Sequence, residues 1–216
     1  MNFAILASII VFCIWLAYEI KKHNKKQKKG TAAFWEKEMK ADATRKQPLD
    51  DLNYIVLPEE ILNVFVEEIP DPIEDSAKFI QHAATVKIVN LGYITNTDLK
   101  LRYGAANLEI LSEYDQNFTL LARHLQTIGE YFYEQKDYAN TKLFLEYAVS
   151  IQSDLMGTYR TLASVYNEEG NTAGLDYLIS NASLLPGLTK GPILKYLYDL
   201  RPEGTNEQES ILDILD

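Results

Sequence analysis

Displaced by 34 residues, the stretch LQTIGEYFYEQKDYANTKLFLEYAVSIQS, beginning at Leu125, falls without a gap on YRTLASVYNEEGNTAGLDYLISNASLLPG, beginning at Tyr159. Leu125 meets Tyr159, Ile128 meets Leu162, Gly129 meets Ala163 and Phe132 meets Tyr166. Further on, Leu145 meets Ile179 and Ala148 meets Ala182. Large apolar side chains fall on large ones and small on small. A fixed period of this length describes one helix–turn–helix unit that cannot bury its apolar face alone and must stack on its neighbours. That feature restricts the chain to an all-α solenoid of antiparallel helical hairpins.

Each first helix carries a large residue, then a large-small pair, then an aromatic: Leu125, Ile128-Gly129, Phe132, and Tyr159, Leu162-Ala163, Tyr166. With KDY and GN in the turns, the chain resembles the tetratricopeptide repeat (TPR) family over about 120–187. It departs from the pattern where Thr141 and Leu175 replace a small alanine of the second helix and Ser153 replaces a proline. The resemblance implies that KGPILKYLYDL is a capping helix, and that the first helices face a groove holding an extended or helical peptide. Carried over position by position, that face comprises Arg123, Gln126, Glu130, Tyr133 and Glu134, then Arg160, Ser164 and Asn167. The Lys/Asn clamp with which chaperone-tail binders of the family hold a terminal carboxylate is absent, since Gln126 and Glu130 stand there. An acidic groove with a tyrosine suits a basic or amphipathic protein or peptide partner.

The stretch GEYFYEQKDYANTKLFLEYA holds six aromatic residues. Phe132, Tyr138, Phe144 and Tyr147 fit the seams between helices, so the set reads as packing more than as a ligand-stacking surface.

Helical patterns also cover SAKFIQHAATVKIVN, NTDLKLRYGAANLEILSEY and stretches near 117–135, 138–152, 156–169, 172–185 and 190–200. The helical domain is expected over 76–200. Before it, residues 31–75 read as a charged helix and an acidic, proline-containing connector. Residues preceding Pro58 should be extended, and Pro58 should open a short helix, EEILNVFVEEI. The connector's apolar side chains point to docking along the body. Residues 201–216 read as an acidic mobile tail.

The first 18 positions from Phe3, FAILASIIVFCIWLAYEI, are apolar except for Ser8 and Glu19, and KKHNKKQKK follows. An uncleaved transmembrane anchor over 1–20 is expected, with a basic juxtamembrane segment at 21–30. Trp15 and Tyr18 would lie at the interface, and Lys21, Lys22, Lys25, Lys26, Lys28 and Lys29 on the cytoplasmic side against anionic headgroups. The N-terminus would then be outside and the helical domain cytoplasmic. Lys-, Ile-, Asn- and Tyr-rich usage resembles that of a low-GC bacterium, hence a bacterial cell membrane.

The formal charge of −10 divides into +5 over residues 1–30 and −15 over the remainder, which repels phosphate backbones and disfavours nucleic acid. The single cysteine, Cys13, supports neither a disulfide framework nor a thiol metal site. His23, His82 and His124 lack the spacing of ligands, and no phosphate loop, dinucleotide fingerprint, HExxH or GxSxG occurs. No enzyme, cofactor or metal is implied. The expected function is a membrane-anchored, TPR-like scaffold or adaptor presenting a peptide groove. The rival is an accessory subunit of a membrane complex, held through its transmembrane helix and residues 47–75.

Overall fold

The computed structural model describes residues 3–66 and 69–201, without the side chains of 4–7 and 23–30. Every regular element among them is helical, as an all-α chain requires. The tail beyond Arg201 lies outside the described residues. Two compact units emerge, one of residues 1–49 with 94–108 and one of 50–93 with the chain from 109 on.

The first unit holds α1 (Phe3–Asp42) and α4 (Asn96–Tyr103). The expected membrane span is not met: among the described residues no helix is long and apolar enough to cross a membrane. Past Ile20 α1 continues without a break through Lys21 and Lys22 into the charged segment ending at Asp42. With the span fall the single-pass topology and the location in a bacterial membrane; no observation bears on the roles expected of Trp15, Tyr18, Lys21, Lys22, Lys25, Lys26, Lys28 and Lys29. The described apolar side chains before Lys21, Ile9 to Trp15 among them, are exposed.

Alongside the last turns of α1, α4 is held by charge. Lys100 bridges Glu38 and Asp42, Lys37 pairs with Asp98 at 2.7 Å, and the Thr97 hydroxyl donates to Glu38 at 2.6 Å. The hydrogen bond from Lys100, and then that from Thr97, hold the Glu38 carboxyl below its ordinary range. Thr95 caps α4 by accepting from Asp98 N. The helix ends at Gly104, where φ is 88° and ψ 144°. A Cβ there would stand 2.3 Å from the Arg45 carbonyl oxygen. The Gln47 amide donates to Tyr103 O at 2.9 Å, and buried Asn107 donates its side-chain amide to Gln47 O and Tyr103 O.

The second unit begins with α2 (Glu59–Asn63), which Pro58 opens in extended conformation (φ −64°, ψ 146°). This helix is shorter than its sequence suggested. A 3-10 turn (Asp71–Ile73) leads into α3 (Glu74–Ala83). Next come α5 (Leu108–Glu134), α6 (Tyr138–Ser150), α7 (Met156–Glu168), α8 (Thr172–Leu184) and α9 (Lys190–Asp199). The polar stretch at 115–117, expected to separate two helices, lies inside α5. Its side chains bind a neighbouring loop instead: Asp115 Oδ1 accepts from Leu91 N at 2.8 Å and Asn117 donates to Lys87 O at 3.1 Å.

The connector docks as expected. Leu57, Ile61, Phe65 and Ile73 share a core with Ile80 of α3, Leu121, Leu125 and Ile128 of α5, and Phe144 and Ala148 of α6. The opposite side of α6 contributes Leu145 and Val149 to a second core, with Tyr159, Leu162 and Tyr166 of α7, Leu178 of α8 and Leu197 of α9. Thus α6 divides two apolar layers. A Cβ on Gly129 would lie 2.3 Å from Leu145 Cδ2, so the small residue lets α5 and α6 approach closely.

The 34-residue period is visible in the backbone. Lys136 and Gly170 take left-handed φ values of 59° and 66°. Asp137 and Asn171 then cap α6 and α8, accepting from Asn140 N and Gly174 N. Their own amides donate to Phe132 O and Tyr166 O at 2.9 and 2.8 Å. At Leu175, a departure from the family pattern, the adjacent Gly174 provides the close approach: its Cβ would stand 2.5 Å from the Tyr166 ring. The other departing threonine, Thr141, is buried and bonds its hydroxyl to Asp137 O at 2.8 Å.

Tyr159, fully buried, has a hydroxyl without a hydrogen-bond partner among the described residues. A desolvated hydroxyl is destabilising. Tyr159→Phe is therefore expected to raise stability by about 1 kcal/mol, read as a higher denaturant midpoint. A lower midpoint would mean that the hydroxyl is stabilised in the fold.

Candidate functional site

The first helices of the hairpins, the second half of α5 and α7, bring several of the expected groove residues into one polar face. Gln126 donates to Glu130 at 2.9 Å and accepts from the Thr158 hydroxyl of α7 at 3.5 Å. Tyr133 donates to Glu168 Oε1 at 2.8 Å, and Tyr138 donates to the other oxygen of the same carboxylate. The two tyrosine rings stack, with centroids 6.0 Å apart and planes 26° from parallel. Arg160 of α7 lies over the Tyr196 ring of α9, 5.7 Å from its centroid. Ser164 is half-buried and sits within reach of Tyr133, while Arg123, Glu134 and Asn167 are exposed.

The electrostatics follow from these bonds. The hydroxyl of Tyr138, and next that of Tyr133, hold the Glu168 carboxyl below its ordinary range. In return Tyr138 is pushed up to about 12, chiefly by its bond to Glu168. Tyr133 rises for the same reason, with burial second. Glu168 is thus a fixed negative charge held by two phenol hydroxyls.

Tyr138, expected in a packing seam, is in this face instead, because its hydroxyl reaches a carboxylate on the next repeat. The other aromatics do pack. Phe132, Phe144 and Phe65 form a triangle with centroid separations of 5.6 to 6.5 Å, and Tyr147 is half-buried with its hydroxyl on Val56 O. Glu168 was absent from the expected groove although the 34-residue shift carries Glu134 onto it. Applying the period to every groove position would have found it.

None of the eight expected groove residues lines either of two cavities in this unit, at Tyr93–Asp154 and Tyr54–Tyr147. His124 stacks on Phe79 with centroids 4.4 Å apart, and its Nδ1 lies 3.0 Å from the Ser76 hydroxyl. Burial lowers its pKa, so the fold favours neutral imidazole and loses stability as pH falls below the ordinary histidine value near 6.5. Among the described residues no group of three or more His, Cys, Asp or Glu converges as a metal site.

No family model, curated protein or solved structure matches the chain. The likeness to tetratricopeptide repeats rests on the quoted residues, and membership of the family is not shown.

Proposed function

We propose that the chain is a protein-interaction scaffold of the TPR-like kind, whose first-helix face on α5, α7 and α9 holds a basic polypeptide segment. One observation carries this reading: the exposed Glu168 carboxylate is kept charged by the hydroxyls of the stacked Tyr133 and Tyr138. An exposed carboxylate held ionised attracts ammonium and guanidinium groups through its charge. The face is non-catalytic in this reading. Its carboxylate is held ionised by two hydroxyl donors, and among the described residues of the face no nucleophile–base pair is directed at a common point.

The rival subunit reading draws no support from residues 47–75. The apolar side chains Leu57, Ile61, Phe65 and Ile73 lie in the chain's own core.

Peptides selected from a random library on the immobilised chain should be enriched in Lys and Arg. Glu168→Gln should then weaken the selected peptides about fivefold, the effect of about 1 kcal/mol for an exposed pair, with a smaller difference at high salt. Enrichment of acidic peptides, or indifference to Glu168→Gln, would overturn the reading.

A further inference from the structure

A cavity of about 310 Å³, lined by none of the eight first-helix face residues, is bounded by residues 90–93, α5, the turn after α6 and the turn before α9. This volume is at the lower end of small-ligand sites, about 300–1,000 Å³. Its walls carry two carboxylates, Asp115 and Asp154, and two aromatic rings, Tyr93 and Phe118, and among the described residues no lysine or arginine lines it. Both carboxylates are placed by neighbours. Asp115 accepts from Leu91 N at 2.8 Å, and Asp154 accepts from the Thr189 hydroxyl at 3.3 Å. Tyr93 is fixed by its hydrogen bond to Gln152 Oε1 at 2.9 Å.

The Tyr93 phenol reports the local field. Burial raises its pKa first, the Asn90 side chain opposes this, and Asp154 and Asp115 raise it further. The two acidic groups therefore act on the same space. A second cavity of about 490 Å³ adjoins the first through Asn90, Tyr93 and Gln152 and runs along the extended residues 53–56 to Tyr147. The pair forms a trough with a negatively charged, aromatic-walled end.

We propose that this end is a second binding site, which receives a guanidinium or ammonium head on an aliphatic stem: an arginine or lysine side chain of a polypeptide lying along the trough. Tyr93 and Phe118 cover the stem, and Asp115 and Asp154 pair with the head. An acidic group on the incoming chain meets two like charges and is rejected. The site stands independently of the first-helix face.

The test is an amide-shift titration of the full chain with a capped Ala-Arg-Ala peptide, the same peptide with neutral citrulline in place of arginine, and argininamide. The arginine peptide is expected to shift the amides of Tyr93, Gln152 and Leu188, and citrulline to leave them in place. Asp154→Asn and Asp115→Asn should each raise the arginine peptide's Kd about tenfold. Asparagine retains an acceptor for Leu91 N, and unchanged shifts elsewhere certify the fold. Tighter binding of the peptide than of argininamide assigns the site to a polypeptide. Equal binding keeps the cation site but makes a free amine its ligand. Equal shifts with citrulline overturn the proposal, as would indifference to both aspartate variants. Shifts confined to Arg160 and Ser164 would move the cation to the first-helix face and also overturn it.

Discussion

Gly104→Ala is expected to destabilise the first unit by about 3 kcal/mol or more. Two effects coincide there. A φ of 88° with ψ of 144° is a conformation that L side chains rarely adopt, costing about 1–3 kcal/mol. The added Cβ would also meet backbone, 2.3 Å from Arg45 O and 2.8 Å from Lys46 Cα. A flexible side chain could swing aside, whereas this strand of backbone is tied by the Gln47 amide to Tyr103 O. The readout is hydrogen exchange at the Gln47 and Asn107 amides, which donate to Tyr103 O and Gly104 O. Protection at both should fall by at least a hundredfold, the ratio that about 3 kcal/mol implies. Unaltered protection would refute the account of Gly104 as the enforced stop of α4.

Phe144→Ala is expected to cost about 3–5 kcal/mol, the range for removing a buried aromatic from a packed core. Phe144 is fully buried and touches the connector through Phe65 and α5 through Phe132, so two segments lose a common neighbour. Against a typical domain stability of about 5–15 kcal/mol the loss is severe. Phe144→Leu, which keeps most of the volume, should cost under about 1.5 kcal/mol if the site repacks. The denaturant midpoints of the two variants measure the difference. A Phe144→Ala midpoint within 1 kcal/mol of the parent, on the scale of about 1 kcal/mol for a single exposed contact, would show that the aromatic triangle is dispensable.

The repeats were legible because their information is local. Gly129 and Ala163 are small where helices approach, Phe132 and Tyr166 are large where they part, and Asp137 and Asn171 cap at matching positions. The long α5 was not legible. Asp115 and Asn117 look like helix punctuation until their partners, Leu91 N and Lys87 O, are known, and those partners are more than twenty residues away. The assignment of α4 to the unit of α1 was hidden for the same reason, since Lys37–Asp98 and Lys100–Glu38 pair across about sixty positions. The membrane span expected at the N-terminus is not met, since among the described residues no helix is long and apolar enough to cross a membrane. At the candidate site, the identity of the face followed from the period. The tyrosine–carboxylate arrangement did not, because Tyr138 reads equally as packing or as a donor until Glu168 is placed beside it.

The matched turns at Lys136 and Gly170 have a consequence for how such a chain can change in size. The segment that starts at the capping Asp137 and ends at the left-handed Gly170 opens on a cap and closes on the residue that must precede one. A tandem copy of that segment, inserted after Gly170, would hand each neighbour the same backbone conformation it now receives. Growth in whole multiples of this unit leaves α9 as the lid on the last layer. Insertions of other lengths between the same points would put an apolar stripe out of phase with its neighbour. The chain's length in this region is therefore quantised, and its natural variants should differ by complete 34-residue helix pairs.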